Sequence, residues 1–133
     1  MALNIYHEAR SESRIAQLAV GQVVMNRVYS NKYPNDVCDV IYQAQLDTRG
    51  NPRKYSCAFS WYCDYKSDTP RDLKAYEEAM NNATIVMNGW TGSYLEGATH
   101  YHATYVLPRW AEHMTKVTQI DEHIFYRDDS HVK

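Results

Sequence analysis

The apolar positions change period along the chain, and those changes mark out its elements. From Ser13 to Tyr29 the series Ile15, Leu18, Ala19, Gln22, Val23 and Asn26 repeats at helical spacing and predicts one long helix. Gln22 and Asn26 fall on or beside its core-facing stripe, so each needs a hydrogen-bond partner there. Met1–Arg10 reads as a shorter helix with Leu3, Ile5 and Tyr6 as its apolar contacts. Ser11-Glu12-Ser13 separates the two, because serine favours caps and turns over helix interiors. Ser30–Asp36, with Asn31, Pro34 and Asn35, is a turn, and Val37–Gln45 a short helix.

Further on, Asp47–Lys54 holds Gly50 and Pro52 among charges and reads as a loop. Tyr55–Tyr65 is rich in aromatics and predicts a strand or extended segment. Thr69-Pro70 opens another helix, threonine as cap and proline in the first turn. Leu73, Tyr76, Met80, Ala83 and Met87 mark its apolar face and Asn88-Gly89 its end. Gly92–Gly97 is a loop, Ala98–Val106 a strand, Pro108–Glu112 a turn or short helix, and His123–Arg127 a last strand. The expectation is a single α+β domain over residues 1–133, with helices around the Ser13–Tyr29 helix and a small lobe of short strands.

Charge and cysteine content narrow the setting. The net charge is -2 and no Lys/Arg block stands out, so the basic face that nucleic acid requires is missing. The apolar run Ile15–Met25 is interrupted by Gln17, Gly21 and Gln22 and does not suit a bilayer span. Met1–Arg10 carries His7, Glu8 and Arg10 where a secretory signal needs a continuous apolar stretch. The expected protein is a monomer in the cytoplasm of the producing cell, with neither nucleic acid nor membrane as partner. Three cysteines, Cys38, Cys57 and Cys63, without a signal argue for reduced thiols over a disulfide framework. One bridge involving Cys38 stays open for a protein acting outside the cytoplasm. Cys57 and Cys63 stand too far apart for the common zinc hairpins.

The candidate chemistry begins at Glu8. Near the C-terminal end of its helix, an ionised carboxyl is disfavoured by the macrodipole. Packing against Tyr6 or other aromatics would desolvate it as well. Both effects favour the protonated form that can donate to a glycosidic oxygen, although an exposed helical glutamate is the commoner reading. In a continuous helix, Glu12 would sit at about the 5–5.5 Å separation of a retaining glycosidase pair. The serine break argues against that, and a first-turn glutamate of the second helix is the better reading. In Thr99-His100-Tyr101-His102, two histidines at i and i+2 share one strand face and could bind zinc with His113, His123 or Cys63. No HExxH accompanies them, so hydrogen-bonded strand histidines are the preferred reading. The twelve tyrosines and three tryptophans suit core packing and also sugar rings. Phe59-Ser60-Trp61 and Trp110 fit either role.

Taken together, several segments resemble the cell wall hydrolase family that includes the spore cortex-lytic enzymes. They are Ala2–Arg10 (ALNIYHEAR), Gln17–Val20 through Asn26–Val28, Tyr33–Cys38 (YPNDVC) and Val40–Gln43 (VIYQ), followed by Phe59–Asp64 (FSWYCD), Gly97–Ala103 (GATHYHA) and His123–Arg127 (HIFYR). They keep the family's order and cover nearly the whole chain. The resemblance implies a lysozyme-like fold, akin to soluble lytic transglycosylases and resuscitation-promoting factors, with one catalytic glutamate at Glu8. It implies cleavage of the β-1,4 bond between N-acetylmuramic acid and N-acetylglucosamine in bacterial peptidoglycan. The acceptor is water or the muramyl 6-hydroxyl, which leaves a 1,6-anhydro end. Such chemistry needs no metal or other cofactor. Gln43, Ser60, Trp61, Tyr101 and His102 are then the expected substrate-binding residues of the groove. Where many members have Gly-Glu-Pro after the catalytic segment, this chain has Ser11-Glu12-Ser13. The expected setting is a phage endolysin that reaches the wall after release. Two rivals are a zinc-dependent amidase or peptidase using His100 and His102, and a non-catalytic glycan-binding module.

Overall fold

Helix α2 (Arg14–Tyr29) is the axis around which the rest is arranged, since every residue from Ala16 to Val24 is buried. The computed structural model describes residues 1–130. Ahead of α2 lies α1 (Ala2–Ala9), and behind it α3 (Val37–Ile41) and α4 (Leu73–Met87). Ser13 caps α2, its hydroxyl accepting from the Ala16 amide at 3.2 Å. Close packing of α1 and α4 depends on Gly21, where a Cβ would stand 2.9 Å from Val86 Cγ2 and 3.3 Å from Ile5 Cδ1. The polar residues of α2 have the partners their burial demands. Gln22 donates to the Gly92 carbonyl at 3.3 Å and accepts from the Gly92 amide at 2.7 Å. Asn26 donates to the carbonyls of Leu95 and Ala98 at 3.0 and 2.7 Å.

Strands form two antiparallel sheets. The hairpin β1 (Ala44–Leu46) and β2 (Pro52–Cys57) stands by itself, and β3 (Ala98–Ala103), β4 (Thr115–Ile120) and β5 (His123–Arg127) form a second sheet with β5 in the middle. Short 3-10 turns cover Ser60–Cys63, Ser93–Leu95 and Arg109–His113. One core gathers Ile5, Ala19, Val20, Val23, Leu95 and Phe125, and a second gathers Val24, Val40, Ile41, Phe59 and Trp61. Tyr101 on β3 packs against both.

Several sequence expectations shift here. The short third helix stops at Ile41, so Gln43–Gln45 leaves it and enters β1. Strand β2 starts inside the segment read as a loop, and the aromatic stretch after Cys57 closes into a 3-10 turn. Asp72, a stronger cap than Thr69, starts α4 by accepting from the Ala75 amide at 3.0 Å. The buried face of α4 is Ala79, Asn82, Ala83 and Val86, whereas Leu73 is 74% exposed and Met80 and Met87 also face water. Small residues win that face because α4 lies so close to Gly21. Cys57 and Cys63 are joined in a disulfide, their Cα atoms 6.0 Å apart, which corrects the expectation of three thiols. Cys38 is free and exposed.

Candidate active site

Helix α1 ends one residue beyond Glu8, and the chain then turns through Ser11 at φ 73°. That turn leaves the Glu8 side chain at the helix's C-terminal end, facing the β3–β5 sheet. The Tyr101 hydroxyl donates to Glu8 Oε1 at 2.5 Å across 93 residues of sequence. Burial pushes the Glu8 carboxyl above its ordinary pKa, and it outweighs the opposing pull of the Tyr101 hydrogen bond and of the His123, Arg27 and His7 charges. Tyr101 is half-buried, and desolvation of its hydroxyl, followed by the neighbouring Glu8 charge, raises its phenol well above the usual value. Its proton therefore stays in place as a neutral donor.

Beneath this pair lies a second one. Glu12 pairs with His123 at 2.8 Å, with side-chain exposures of 14% and 11%, and also accepts from the Glu122 amide at 3.2 Å. The His123 ring meets the Tyr101 ring edge-on, centroids 5.2 Å apart. Glu12 is thus not a first-turn residue of α2, as expected from sequence. It lies in the link between helices and ties that link to β5.

A cavity of about 440 Å³ opens beside the site, walled by Arg27, Tyr33, Gln43, Ser56, His100 and Trp110 among others. A second, of about 380 Å³, shares Tyr33 and continues past Lys32 and Thr99 to Arg127 and Asp128. A third, also about 380 Å³, is lined by His7, Tyr6 and Arg10. Glu8 is in none of these walls, yet Arg27 from the first and His7 from the third both act on its charge.

The residues expected in the groove divide. Gln43 lines the first cavity and is exposed, and Ser60 is exposed on its 3-10 turn. Tyr101 directs its hydroxyl to Glu8. Trp61 is 5% exposed, donates from Nε1 to Asn4 Oδ1 at 2.8 Å and stacks on His7. It is a core residue, which corrects its place as a sugar platform. His102 is 8% exposed, and both ring nitrogens are engaged, Nδ1 with the Ala103 carbonyl at 2.7 Å and Nε2 with the Tyr126 hydroxyl at 2.8 Å. It can contact neither sugar nor metal without breaking those bonds, and the role assigned to it is likewise corrected. His100 bonds to Thr99 Oγ1 at 3.0 Å, and burial, then Arg27, lowers its pKa to about 4. Among the described residues no three His, Cys, Asp or Glu side chains gather as a metal site. Sequence reasoning missed Arg27 and Tyr33 as cavity residues, and it weighed Glu12 without finding its His123 partner. The spacing Val20, Val24, Arg27 placed Arg27 on a buried face of α2 and was the available signal.

The profile of a family described as Cell Wall Hydrolase matches residues 11–126. That span opens after Glu8 and includes Glu12, Arg27, Tyr101 and His123. The spore cortex-lytic enzyme of Bacillus cereus is 28% identical over 127 residues, covering 94% of this chain and 42% of the relative. That of Oceanobacillus iheyensis is 26% identical over 125 residues, covering 94% and 39%. The chain thus spans about two fifths of the length of these relatives. In three dimensions it is similar to the catalytic domain of the germination-specific lytic transglycosylase SleB from Bacillus anthracis. The TM-score is 0.68 at 27% identity, over 96% of this chain and 90% of that one. The likeness bears out the lysozyme-like α+β fold.

Proposed function

The chain belongs to the cell wall hydrolase family, and from that premise we propose that it is a peptidoglycan glycosidase with Glu8 as its acid. It cuts the β-1,4 bond between N-acetylmuramic acid and N-acetylglucosamine. The observation that carries this reading is a carboxyl held above its ordinary pKa by burial and bonded at 2.5 Å to a neutral phenol. Such a carboxyl is protonated where an ordinary glutamate is ionised, which is what general-acid cleavage requires.

Glu8 gives its proton to the glycosidic oxygen as the bond to the anomeric carbon breaks. The carboxylate left behind accepts the Tyr101 hydrogen bond and lies in the field of Arg27 and His123. The muramyl 6-hydroxyl then bonds to the anomeric carbon and returns its proton to Glu8, closing a 1,6-anhydro ring. Cleavage by this route needs no carboxylate nucleophile, which agrees with Glu12 being paired to His123. The similarity to a protein described as a lytic transglycosylase favours the 6-hydroxyl over water as acceptor.

Replacing Glu8 by Gln should lower the rate of wall clearing by about 10²–10⁴-fold while wall binding and folding persist. Clearing at the parent's rate would sink the assignment. Anhydro-muramic ends among the released fragments, read by mass spectrometry, would identify transglycosylation, and reducing ends hydrolysis. A phage endolysin remains the proposed setting. Its test is expression inside a bacterium, with lysis expected only when a membrane pore is co-expressed.

A further inference from the structure

We infer that Glu12 is a positioning residue of the reaction: through His123 it holds the Tyr101 ring so that the hydroxyl meets Glu8. This inference rests on the glycosidase reading and adds what keeps the acid's hydrogen-bond donor in place. Tyr101 on β3 pairs with Phe125 on β5, and His123 lies two residues before Phe125 on the same face of that strand. The Tyr101 ring therefore has two neighbours on β5, Phe125 at 5.4 Å and His123 at 5.2 Å between centroids. Phe125 is fully buried and fixed by the core. His123 begins β5 beside the turn at Asp121 and Glu122. Its direct partner across the sheet is Ala103, too small to hold a ring.

What holds that ring is Glu12. The carboxylate lies 2.8 Å from His123 Nδ1 and also accepts from the Glu122 amide at 3.2 Å. A carboxylate only accepts, so Nδ1 carries the proton and the imidazole is pinned on that side. Charge-assisted bonds of this kind are about twice as strong as neutral ones, and this pair is mostly out of water. The pinned imidazole meets Tyr101 at an interplanar angle of 80°, so the phenol rests on its edge as well as on Phe125. Fastening the chain does not require the Glu12 side chain. The Ser13 amide donates to Asp121 Oδ2 at 2.9 Å, and the Glu12 amide to the Ala9 carbonyl at 3.1 Å. The first bond ties the link between α1 and α2 to the β4–β5 turn and the second ties it to α1, whatever side chain stands at position 12.

The Tyr101 hydroxyl makes one bond, to Glu8 Oε1. A misplacement of about 1 Å at such a contact can cost about 10²-fold in rate. Neither Glu12 nor His123 lines the three cavities around the site, so their loss falls on turnover and leaves sugar binding alone.

The experiment measures kcat and KM on soluble peptidoglycan oligosaccharides for Glu12→Ala, Glu12→Gln and His123→Asn, each made in the parent and in Tyr101→Phe. Glu12→Ala and His123→Asn should lower kcat about tenfold or more in the parent, with KM unchanged. Glu12→Gln, which still offers an oxygen to Nδ1, should keep most of the rate. In Tyr101→Phe no hydroxyl remains to be placed, and neither Glu12→Ala nor His123→Asn should cost more than about twofold. Equal losses in the two backgrounds, or the parent's rate in Glu12→Ala, overturn the inference. If Glu12→Ala does not fold, His123→Asn, which leaves Glu12 a donor, decides by the same comparison. A second readout needs no turnover: in Glu8→Gln, the NMR signals of the Tyr101 ring should move when Glu12→Ala is added, and unmoved signals also overturn the inference. Failure of the Glu8 assignment shows separately, as wall clearing by Glu8→Gln.

Discussion

Tyr101 and burial act on Glu8 with opposite signs, and a variant can remove one without the other. The hydroxyl's donation favours the carboxylate, whereas burial favours the acid. In Tyr101→Phe the pull toward the charged form is gone, so the alkaline limb of the activity profile should move to higher pH, with a reduced rate at the optimum. A limb that stays or moves down would argue that the hydrogen bond does not tune the acid. Ser11 offers a second single-residue test. Its φ of 73° lies where a Cβ is strained, and many family members have glycine there. Ser13 at φ -63° has the angle proline adopts, which fits the family's proline at that position. The chain thus keeps the turn with different residues. Ser11→Gly should raise unfolding free energy in urea by about 1 kcal/mol. The place of Glu8 near a helix C-terminus was legible because that is a local feature, whereas its Tyr101 partner, 93 residues on, was not. The setting of Arg27 was not legible either, since its partners are Thr99, Tyr33 and Phe59, and only folding brings Thr99 alongside.

At the scale of elements, the α2 crossing is governed by the missing side chain at Gly21. An added methyl would meet Val86, whose branched side chain has little rotamer freedom in α4. Overpacking costs about 1–3 kcal/mol, and the better helix propensity of alanine returns about 1 kcal/mol. Gly21→Ala should therefore lose about 1 kcal/mol in urea unfolding, and a gain would show that α4 can retreat freely. The long helices were legible from their period, although the α4 face was misplaced: Leu73, Met80 and Met87 are large and apolar, yet packing against Gly21 selects alanine. Strand β4 escaped notice because it is an edge strand, its residues half-buried or exposed, so no alternation marks it. Trp61 and His102 misled for the opposite reason, being groups of the right chemistry that the fold satisfies internally.

Over the whole molecule, acid stability is where the buried titrating groups combine. His100 has a folded pKa of about 4 against 6.5 when free. A depressed folded pKa gives stability that is complete above the unfolded value and is lost as pH falls through the folded one. Parent protein should thus weaken between about pH 6.5 and about pH 4, in part through His100. In His100→Gln the urea midpoint should fall less over that interval, and parallel curves would show that the imidazole contributes nothing. Glu8 has the opposite sign: its raised folded pKa adds stability at low pH that is lost as pH rises through that pKa. The lysozyme-like class was legible from a resemblance spread along the chain, whereas the pairing of β3 with β5 and the Cys57–Cys63 bridge were not.

The contact between Glu8 and Tyr101 joins residues 93 apart, and that between Glu12 and His123 joins residues 111 apart. Glu8 is therefore synthesised well before the groups that seat it. A nascent chain halted after α4 has its helices but lacks both Tyr101 and β5, so the Glu8 carboxyl has no phenol beside it. On the proposed reading, acid catalysis therefore waits until the β3–β5 sheet has formed.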